Sequence, residues 1–328
     1  MAKKVAWFDV SEFDKKYFED KDLDMSITFF EEPLNEKTAE LAEGFDAVSV
    51  FINSDLNREV LETLDIDIVA CRSTGFDHVD LEAADEMDVT VCNVPEYSSN
   101  TVAEHTFALL LSVSRKLYSA INKVKDGSFD HEGLRGFDLK GKTFGVVGTG
   151  SIGKHAIRIA KGFQMDVIAY DPFPDHEAAE EIGFDYVDFD EIVETSDVIS
   201  LHCPLNEHTE HMFSDEEFKK MDGTVLINTS RGGLVETESL IKAIDRGDVR
   251  AAGLDVLEDE CGLSEDIDYL GEMEEKCDLQ TILHDHILIK RDDVVVTPHN
   301  GFNSEEALER LISTTIENLE DLANPVNN

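Results

Sequence analysis

Short apolar runs alternate with polar, helix-compatible stretches through residues 1–100. KVAWFDV, SITFF, AVSVF, DIVAC and VTVCN are bounded by charged or turn-forming residues and rich in Val, Ile and Phe, which favours strands. That alternation predicts a small parallel α/β unit. From about Thr101 to Val124 the chain is nearly continuous in apolar character, TVAEHTFALLLSVSRKLYSAI, and predicts one long buried helix where one domain gives way to another. A second alternation begins at Lys142 with TFGVVG, DVIAYD, DVISLHC, TVLINTS, AAGLDVL and VVVTP. Strands of this kind with helices between them suit a doubly wound sheet. In SDEEF, Ser214 and Glu217 have capping-box spacing. Residues 258–293 break the rhythm; they are acidic and irregular, and long enough for a functional loop or insertion. Ser304–Ala323 reads as a helix that packs back onto the first unit.

Composition then narrows the setting. A length of 328 residues suggests two domains, and 41 % hydrophobic content supplies their cores. Asp and Glu number 72 against 28 Lys and Arg, a formal net charge of −44. The carboxylates run from FDKKYFEDKDLD to TTIENLEDL instead of gathering in a tail, which predicts a folded protein with an anionic surface. Such a surface repels itself unless salt screens it, and so points to a salt-rich cytoplasm. Phosphate contacts need basic patches, and the absence of any in the sequence excludes nucleic acid as a partner. Cys71, Cys92, Cys203, Cys261 and Cys277 are odd in number and scattered without a CxxC, as in a reducing compartment. MAKKVAWFDV opens into a strand-like run with no signal peptide, and no stretch approaches the ~20 apolar residues of a membrane span. The expected location is the cytoplasm, without membrane association.

The strongest local motif is GVVGTGSIGKHAIRIAKGF. Gly148, Gly150 and Gly153 fit G-x-G-x-x-G in its required context, after the apolar strand Phe144–Val147 and before a helix-compatible run from Ile152. Glycines there let the backbone approach a pyrophosphate, whose charge sits at the helix N-terminus. The next strand ends at Asp171, where a carboxylate can accept from a ribose hydroxyl pair and repel a 2′-phosphate. The cofactor predicted is NAD, not NADP.

A nucleotide domain names no reaction, so the remaining strand ends must. NTSRGGLVE places Arg231 directly after a strand, GLDVLEDE places Asp255 at a strand end with Glu260 close behind, and VTPHNGF places His299 at the exit of a valine strand. Exits from one sheet converge on its cofactor edge. A guanidinium holds a carboxylate by paired hydrogen bonds. An imidazole, with an ordinary pKa near ~6.5, exchanges a proton with a carbonyl or alcohol oxygen. A neighbouring carboxylate raises the imidazole pKa, and nicotinamide supplies the hydride.

These blocks, with CRSTGFDHVDL, NVPEYSSNTVAEH and YDPF, make the sequence resemble the D-2-hydroxyacid dehydrogenases over nearly its whole length, most closely their D-lactate branch. The resemblance implies an α/β fold of two Rossmann-like domains flanking a cleft. A flavodoxin-like substrate domain would span residues 1–100 plus 302–328, and a doubly wound NAD-binding domain residues 101–301. It further implies that Arg231 binds and polarises the 2-oxoacid, that His299 is the proton donor and that Glu260 pairs with it. Ser73, Thr74 and Gly75 would grip the substrate carboxylate through backbone amides. Tyr97, Phe302 and Phe51 would form an apolar pocket suited to the methyl group of pyruvate. Ser151, Ile152, Asp171, Cys203, Pro204, Thr209, Thr229, Ser230 and Asp255 fall where the family contacts NAD. A homodimer is implied as well.

The long segment between Glu260 and His299 resembles the lactate branch; members acting on glycerate or phosphoglycerate usually have a short link and a Glu-Pro pair, and here Cys261 follows Glu260. Two departures bear on substrate. The hinge reads YSSN where Tyr-Ser-Pro is common, so its backbone is less fixed. Gly301 stands where the family usually has Ala and would widen the pocket or loosen Phe302. That keeps bulkier 2-oxoacids open beside hydroxypyruvate and glyoxylate. Cys261, Cys277, His284 and His286 match no zinc spacing, so no metal is expected. His208 and His211 read as surface or nucleotide-edge residues. A reading from another class, an NAD(H)-sensing corepressor-like binding protein, is disfavoured by the presence of Arg231, Glu260 and His299 together, because binding alone needs no proton donor.

Overall fold

Each apolar run of the first hundred residues forms a strand in the computed structural model, which describes residues 3–19, 21, 23–258 and 279–327. The chain divides into two units, Met1–Ser98 with Asn303–Asn328, and Ser99–Phe302.

The first unit runs β1 (Lys3–Trp7), α1 (Glu12–Phe18), β2 (Met25–Phe29), β3 (Ala47–Val50), α2 (Arg58–Thr63), β4 (Ile68–Cys71), α3 (Leu81–Glu86) and β5 (Thr90–Cys92). All pairings are parallel, in the order β2-β1-β3-β4-β5, the flavodoxin-like arrangement. Every residue of β3 and β4 is buried, as a parallel sheet covered on both faces requires. Side chains alternate between those faces. Val5 and Trp7 of β1 join Ile68 and Ala70 against Ile312, Ile316 and Leu319 of the C-terminal helix Glu305–Asp321, while Ala6 and Phe8 pack with Val60, Leu61 and Ala83. The expected return of the last helix to the first unit is therefore found. Asn57, Asp80 and Ser304 cap α2, α3 and that helix by accepting a backbone N–H.

In the second unit the order is α4 (Ser99–Ser114), α5 (Leu117–Lys125), β6 (Thr143–Val147), α6 (Ser151–Gly162), β7 (Asp166–Tyr170), α7 (His176–Ile182), β8 (Asp185–Tyr186), α8 (Phe189–Thr195), β9 (Val198–Leu201), α9 (Asp215–Phe218), β10 (Thr224–Asn228), α10 (Thr237–Arg246), β11 (Val249–Leu254), α11 (Leu279–Ile289) and β12 (Val294–Val296). The sheet is parallel, in the order β12-β11-β10-β9-β6-β7-β8, so strand order reverses between β6 and β9. The capping box at Ser214 and Glu217 is formed.

Three expectations change. The stretch read as one helix over Thr101–Val124 is two helices, with Lys116 between them in the left-handed region at φ +48°. The Ser114 carbonyl accepts from Phe137 N–H at 3.0 Å, so a distant segment ends α4. While α4 buries Ala103, Phe107 and Leu110, α5 buries nothing. The short edge strand β8 was not anticipated. Finally, α11 lies inside the stretch read as irregular; it buries Ile282 and Leu288 with Asp285 between them, and that acid masks the helical period. Among the described residues, no helix is long and apolar enough to cross a membrane.

Candidate active site

The glycine loop leaves β6 at the point where the strand order reverses, the place at which open α/β sheets bind ligands. Gly148 has φ +94°, and a Cβ there would fall 2.7 Å from Cys203 N and from the His202 carbonyl. A Cβ on Gly153 would fall 2.1 Å from the Gly148 carbonyl oxygen, so α6 can start this close to the strand only with glycine. Gly150 is the N-cap of α6 without a side-chain cap, and no atom lies within 4 Å of where its Cβ would be. The first N–H groups of α6, at Ser151, Ile152 and Gly153, thus face a bare approach that fits a pyrophosphate. Asp171 follows β7. Its Oδ2 accepts from Thr149 N–H at 2.7 Å and Thr149 Oγ1 at 2.9 Å, and its Oδ1 from Phe173 N–H at 2.9 Å. Tyr186, carried by β8, stands 2.7 Å from Thr149 Oγ1 through its hydroxyl, so the unanticipated strand helps fix this carboxylate.

At the β9 exit, His202 Nε2 lies 2.8 Å from Ser200 Oγ, and burial pushes its pKa down to about 4. The imidazole is neutral near pH 7. Burial also raises the Cys203 thiol to about 11, so it is no nucleophile. Thr209 Oγ1 donates to the Pro204 carbonyl at 2.7 Å and accepts from Asn206 N–H at 2.8 Å, tying the following loop. Ser230 Oγ, at the β10 exit, donates to the Cys203 carbonyl at 2.6 Å, and Thr229 Oγ1 meets Thr106 Oγ1 at 2.9 Å. The Asn228 side chain shapes the Arg231 turn, with Nδ2 donating to the Arg231 carbonyl at 2.9 Å and Oδ1 accepting from Ser230 N–H at 3.0 Å.

His299 follows β12 in a left-handed conformation, φ +49°, uncommon for a residue other than glycine. Its N–H donates to the Asp255 carbonyl at 2.8 Å. The Asp255 carboxylate, only 2 % exposed, holds the rest of the turn. Oδ1 accepts from Thr297 Oγ1 at 2.5 Å and Asn300 N–H at 2.8 Å, and Oδ2 from Gly301 N–H at 2.7 Å. His105 Nε2, from α4, lies 3.1 Å from Asp255 Oδ1 and 3.0 Å from Thr297 Oγ1. Burial works to raise the Asp255 pKa, but the hydrogen bonds from His105, Thr297 and Asn300 outweigh it and hold the carboxyl below its ordinary value. Expected at the cofactor, Asp255 has both oxygens engaged within the protein. Gly301, read as widening the pocket or loosening Phe302, is buried, and a Cβ there would lie 2.8 Å from Asp255 Oδ2. Glu260, the expected partner of His299, lies outside the described residues, as do Cys261 and Cys277. His211, expected at the surface or nucleotide edge, pairs with Glu258 at 2.5 Å.

Ser73, Thr74, Gly75 and Tyr97 belong to the first unit, whereas Phe302 belongs to the second. The loop after β4 turns its acceptors inward. The Ser73 carbonyl accepts from Val94 N–H at 3.0 Å, that of Thr74 from Asn93 Nδ2 at 2.7 Å, and that of Gly75 from Ser73 Oγ at 2.5 Å. The N–H groups of the same three residues donate to no acceptor among the described residues. Carbonyls engaged and amides uncommitted leave a loop whose donors can bind an anion. Tyr97 is buried, and its carbonyl accepts from Arg310 Nε at 2.7 Å. Two residues near these segments were passed over in sequence: His105, whose place in an apolar helix read as core, and Arg72, directly before the Ser73–Gly75 loop.

The chain is similar to known proteins over nearly its whole length. Residues 107–301 match the model of the D-isomer specific 2-hydroxyacid dehydrogenase, NAD binding domain. The chain is 37 % identical over 328 residues to the D-lactate dehydrogenase of Escherichia coli, covering 97 % of this chain and 96 % of that one. Its structure is similar to that of the pyruvate reductase of Chlamydomonas reinhardtii, with TM-score 0.89, 36 % identity and coverage of 100 % and 98 %. It is also similar to the D-lactate dehydrogenase of Aquifex aeolicus complexed with NAD and lactic acid, with TM-score 0.85, 31 % identity and 99 % coverage of both chains.

Proposed function

Because the chain belongs to the D-isomer specific 2-hydroxyacid dehydrogenases, NAD-dependent enzymes of 2-oxoacid reduction, we propose that its own reaction is the reduction of pyruvate to D-lactate, and the reverse. One observation carries the reading. Arg231 and His299 leave β10 and β12 at the same edge of one parallel sheet from which the glycine loop leaves β6, and His299 is held there in a strained turn. The Arg231 guanidinium binds and polarises the oxoacid, and the His299 imidazole gives a proton to its C2 oxygen, a contribution of roughly 10²–10⁴-fold. Glu260 keeps the imidazole protonated. The Ser73–Gly75 amides are assigned the carboxylate, and Tyr97 and Phe302 the methyl group. Gly148, Gly150, Ser151, Ile152 and Gly153 hold the cofactor pyrophosphate, and Asp171 the ribose. Cys203, Pro204, Thr209, Thr229 and Ser230 line the same cofactor edge. Bound NADH supplies the hydride.

Two further assignments belong to the same reading. The working form is a homodimer, supported by α5, which exposes Leu117, Tyr118, Ile121 and Val124 along a helix with no buried residue. The working medium is a salt-rich cytoplasm, supported by the net charge of −44. The test is loss of NADH absorbance with pyruvate in concentrated KCl, beside His299→Ala. Rapid oxidation is expected, with kcat collapsed and NADH affinity nearly intact in the variant. Turnover of hydroxypyruvate, glyoxylate or a bulkier 2-oxoacid in place of pyruvate would move the substrate assignment. An active variant would remove His299 from the proton step.

A further inference from the structure

Strand order in the first unit reverses between β1 and β3, so the carboxyl ends of these strands flank the crevice where such sheets bind ligands. In this chain a guanidinium fills it. Arg72 Nη1 donates to Ser49 Oγ at 2.9 Å, and Nη2 to the carbonyls of Phe8 at 2.6 Å and Asp9 at 3.1 Å. The cation lies 4.5 Å over the Trp7 ring, and the residue is 2 % exposed. Its acceptors are one hydroxyl and two carbonyls. Among the described residues no carboxylate reaches ion-pair distance, and Asp14 and Asp9 act on it only through space. Burial lowers its pKa to about 10, which leaves it charged at pH 7.

A buried charge without an ionic partner is rare, and an apolar side chain of similar volume would pack there at less expense. Its position gives it a use. Arg72 directly precedes the loop whose Ser73, Thr74 and Gly75 amides are uncommitted, and it anchors the end of β4 from which that loop springs. A surface of net charge −44 repels an anionic substrate at range, whereas a desolvated cation acts locally and is little screened by salt. We propose that Arg72 is a specificity-determining residue of the substrate loop, a buried cation that selects a carboxylate over a neutral group at the Ser73–Gly75 amides. The proposal rests on the reading that those amides hold the substrate carboxylate.

The experiment uses the complete enzyme with NADH and the 2-oxoacid it turns over best, beside the methyl ester of that acid. Arg72→Gln removes the charge and keeps hydrogen-bonding capacity; Arg72→Lys keeps the charge and loses the fork. Gln should raise KM for the acid about tenfold with kcat little changed, leave kcat/KM for the neutral ester nearly intact, and so erase most of the preference for the acid. Lys should keep that preference, and a Lys variant that loses it overturns the proposal even if Gln does not fold. Equal losses on acid and ester in Gln, the mark of a structural role, would overturn it too, as would an unchanged KM. Hydrogen exchange of the 72–76 amides with and without oxamate tests the underlying reading separately. Protection by oxamate together with an unchanged KM in Gln defeats the role of Arg72 alone, whereas no protection in the unmodified enzyme defeats both.

Discussion

Replacing Asp255 with Asn tests whether this carboxylate serves the His299 turn or the cofactor. The side chain keeps its shape, but one oxygen becomes an NH₂ group. Placed at Oδ2, the amide nitrogen faces Gly301 N–H, which now lies 2.7 Å from the oxygen. Placed at Oδ1, it faces Asn300 N–H, now at 2.8 Å. Either way one buried donor is orphaned, at about 1–3 kcal/mol. The surviving bonds also lose the assistance of a charge. The total is roughly 2–4 kcal/mol, or a fall in Tm of roughly 4–15 °C for a unit of this size. A left-handed residue is itself less stable by roughly 1–2 kcal/mol, so His299 should relax once its support weakens, and kcat should fall about tenfold or more. The assays are thermal unfolding, NADH binding by fluorescence, and steady-state turnover. Expected are a lower Tm, a lower kcat and nearly unchanged NADH affinity. An unchanged Tm with NADH affinity lost would refute the reasoning and return Asp255 to the cofactor. The pH dependence has a definite sign. With its folded pKa below the unfolded one, Asp255 contributes stability that is present above the ordinary carboxyl range and lost as pH falls through the folded value. The Asn variant should lack that acid-side loss.

His202 acts in the same direction over a higher window. Its folded pKa is about 4 against about 6.5 when unfolded, so between those values the unfolded chain binds the extra proton and stability drops as pH falls. The loss amounts to about 2–3 kcal/mol by pH 4, and denaturant unfolding should show a flatter profile in His202→Gln; parallel profiles would mean the imidazole is accessible to protons. In the role proposed for Asp171, its charge opposes a 2′-phosphate, a like-charge contact that costs several kcal/mol and that Asp171→Ser removes. The kcat/KM ratio of NADH to NADPH should therefore drop by at least about tenfold, and an unchanged ratio would place discrimination elsewhere.

Much of the fold was legible because strands buried on both faces of a parallel sheet read as unbroken apolar runs. What escaped was decided by contacts distant in sequence. Phe137 ends α4 by capturing the Ser114 carbonyl, and nothing in TVAEHTFALLLSVSRKLYSAI signals it. The edge strand Asp185–Tyr186 has no apolar run of its own and is recognisable only beside β7. Site chemistry divides in the same way. The glycine loop and Arg231 follow from local context, since a strand, a turn and a helix in order suffice to place them. The left-handed turn of His299 does not, because it depends on a carboxylate from β11 and an imidazole from α4. In sequence His105 is one more residue of an apolar helix and Arg72 one basic residue among 28; the closeness of His105 to Asp255 and Thr297, and the burial of Arg72, set them apart.

An acidic composition conflicts with the anionic ligands proposed only if binding is imagined as the work of lysines and arginines. In this chain the anion sites proposed are made chiefly of backbone. The α6 N-terminus offers N–H groups beside Gly150, and the loop after β4 offers those of Ser73, Thr74 and Gly75 with their carbonyls already engaged. Backbone donors are independent of side-chain composition, so a chain with 72 Asp and Glu keeps them all the same. Cations enter sparingly in the roles proposed: Arg231 follows β10 and Arg72 follows β4, each at a strand exit. A cation held in place and shielded from solvent keeps its effect at high ionic strength, where a surface lysine would be screened. Salt should then weaken mutual repulsion across the acidic surface much more than it weakens capture of the oxoacid. On that argument kcat/KM for the acid rises with KCl until the surface is screened and then levels; a continuous decline would mean that exposed charges do the capturing.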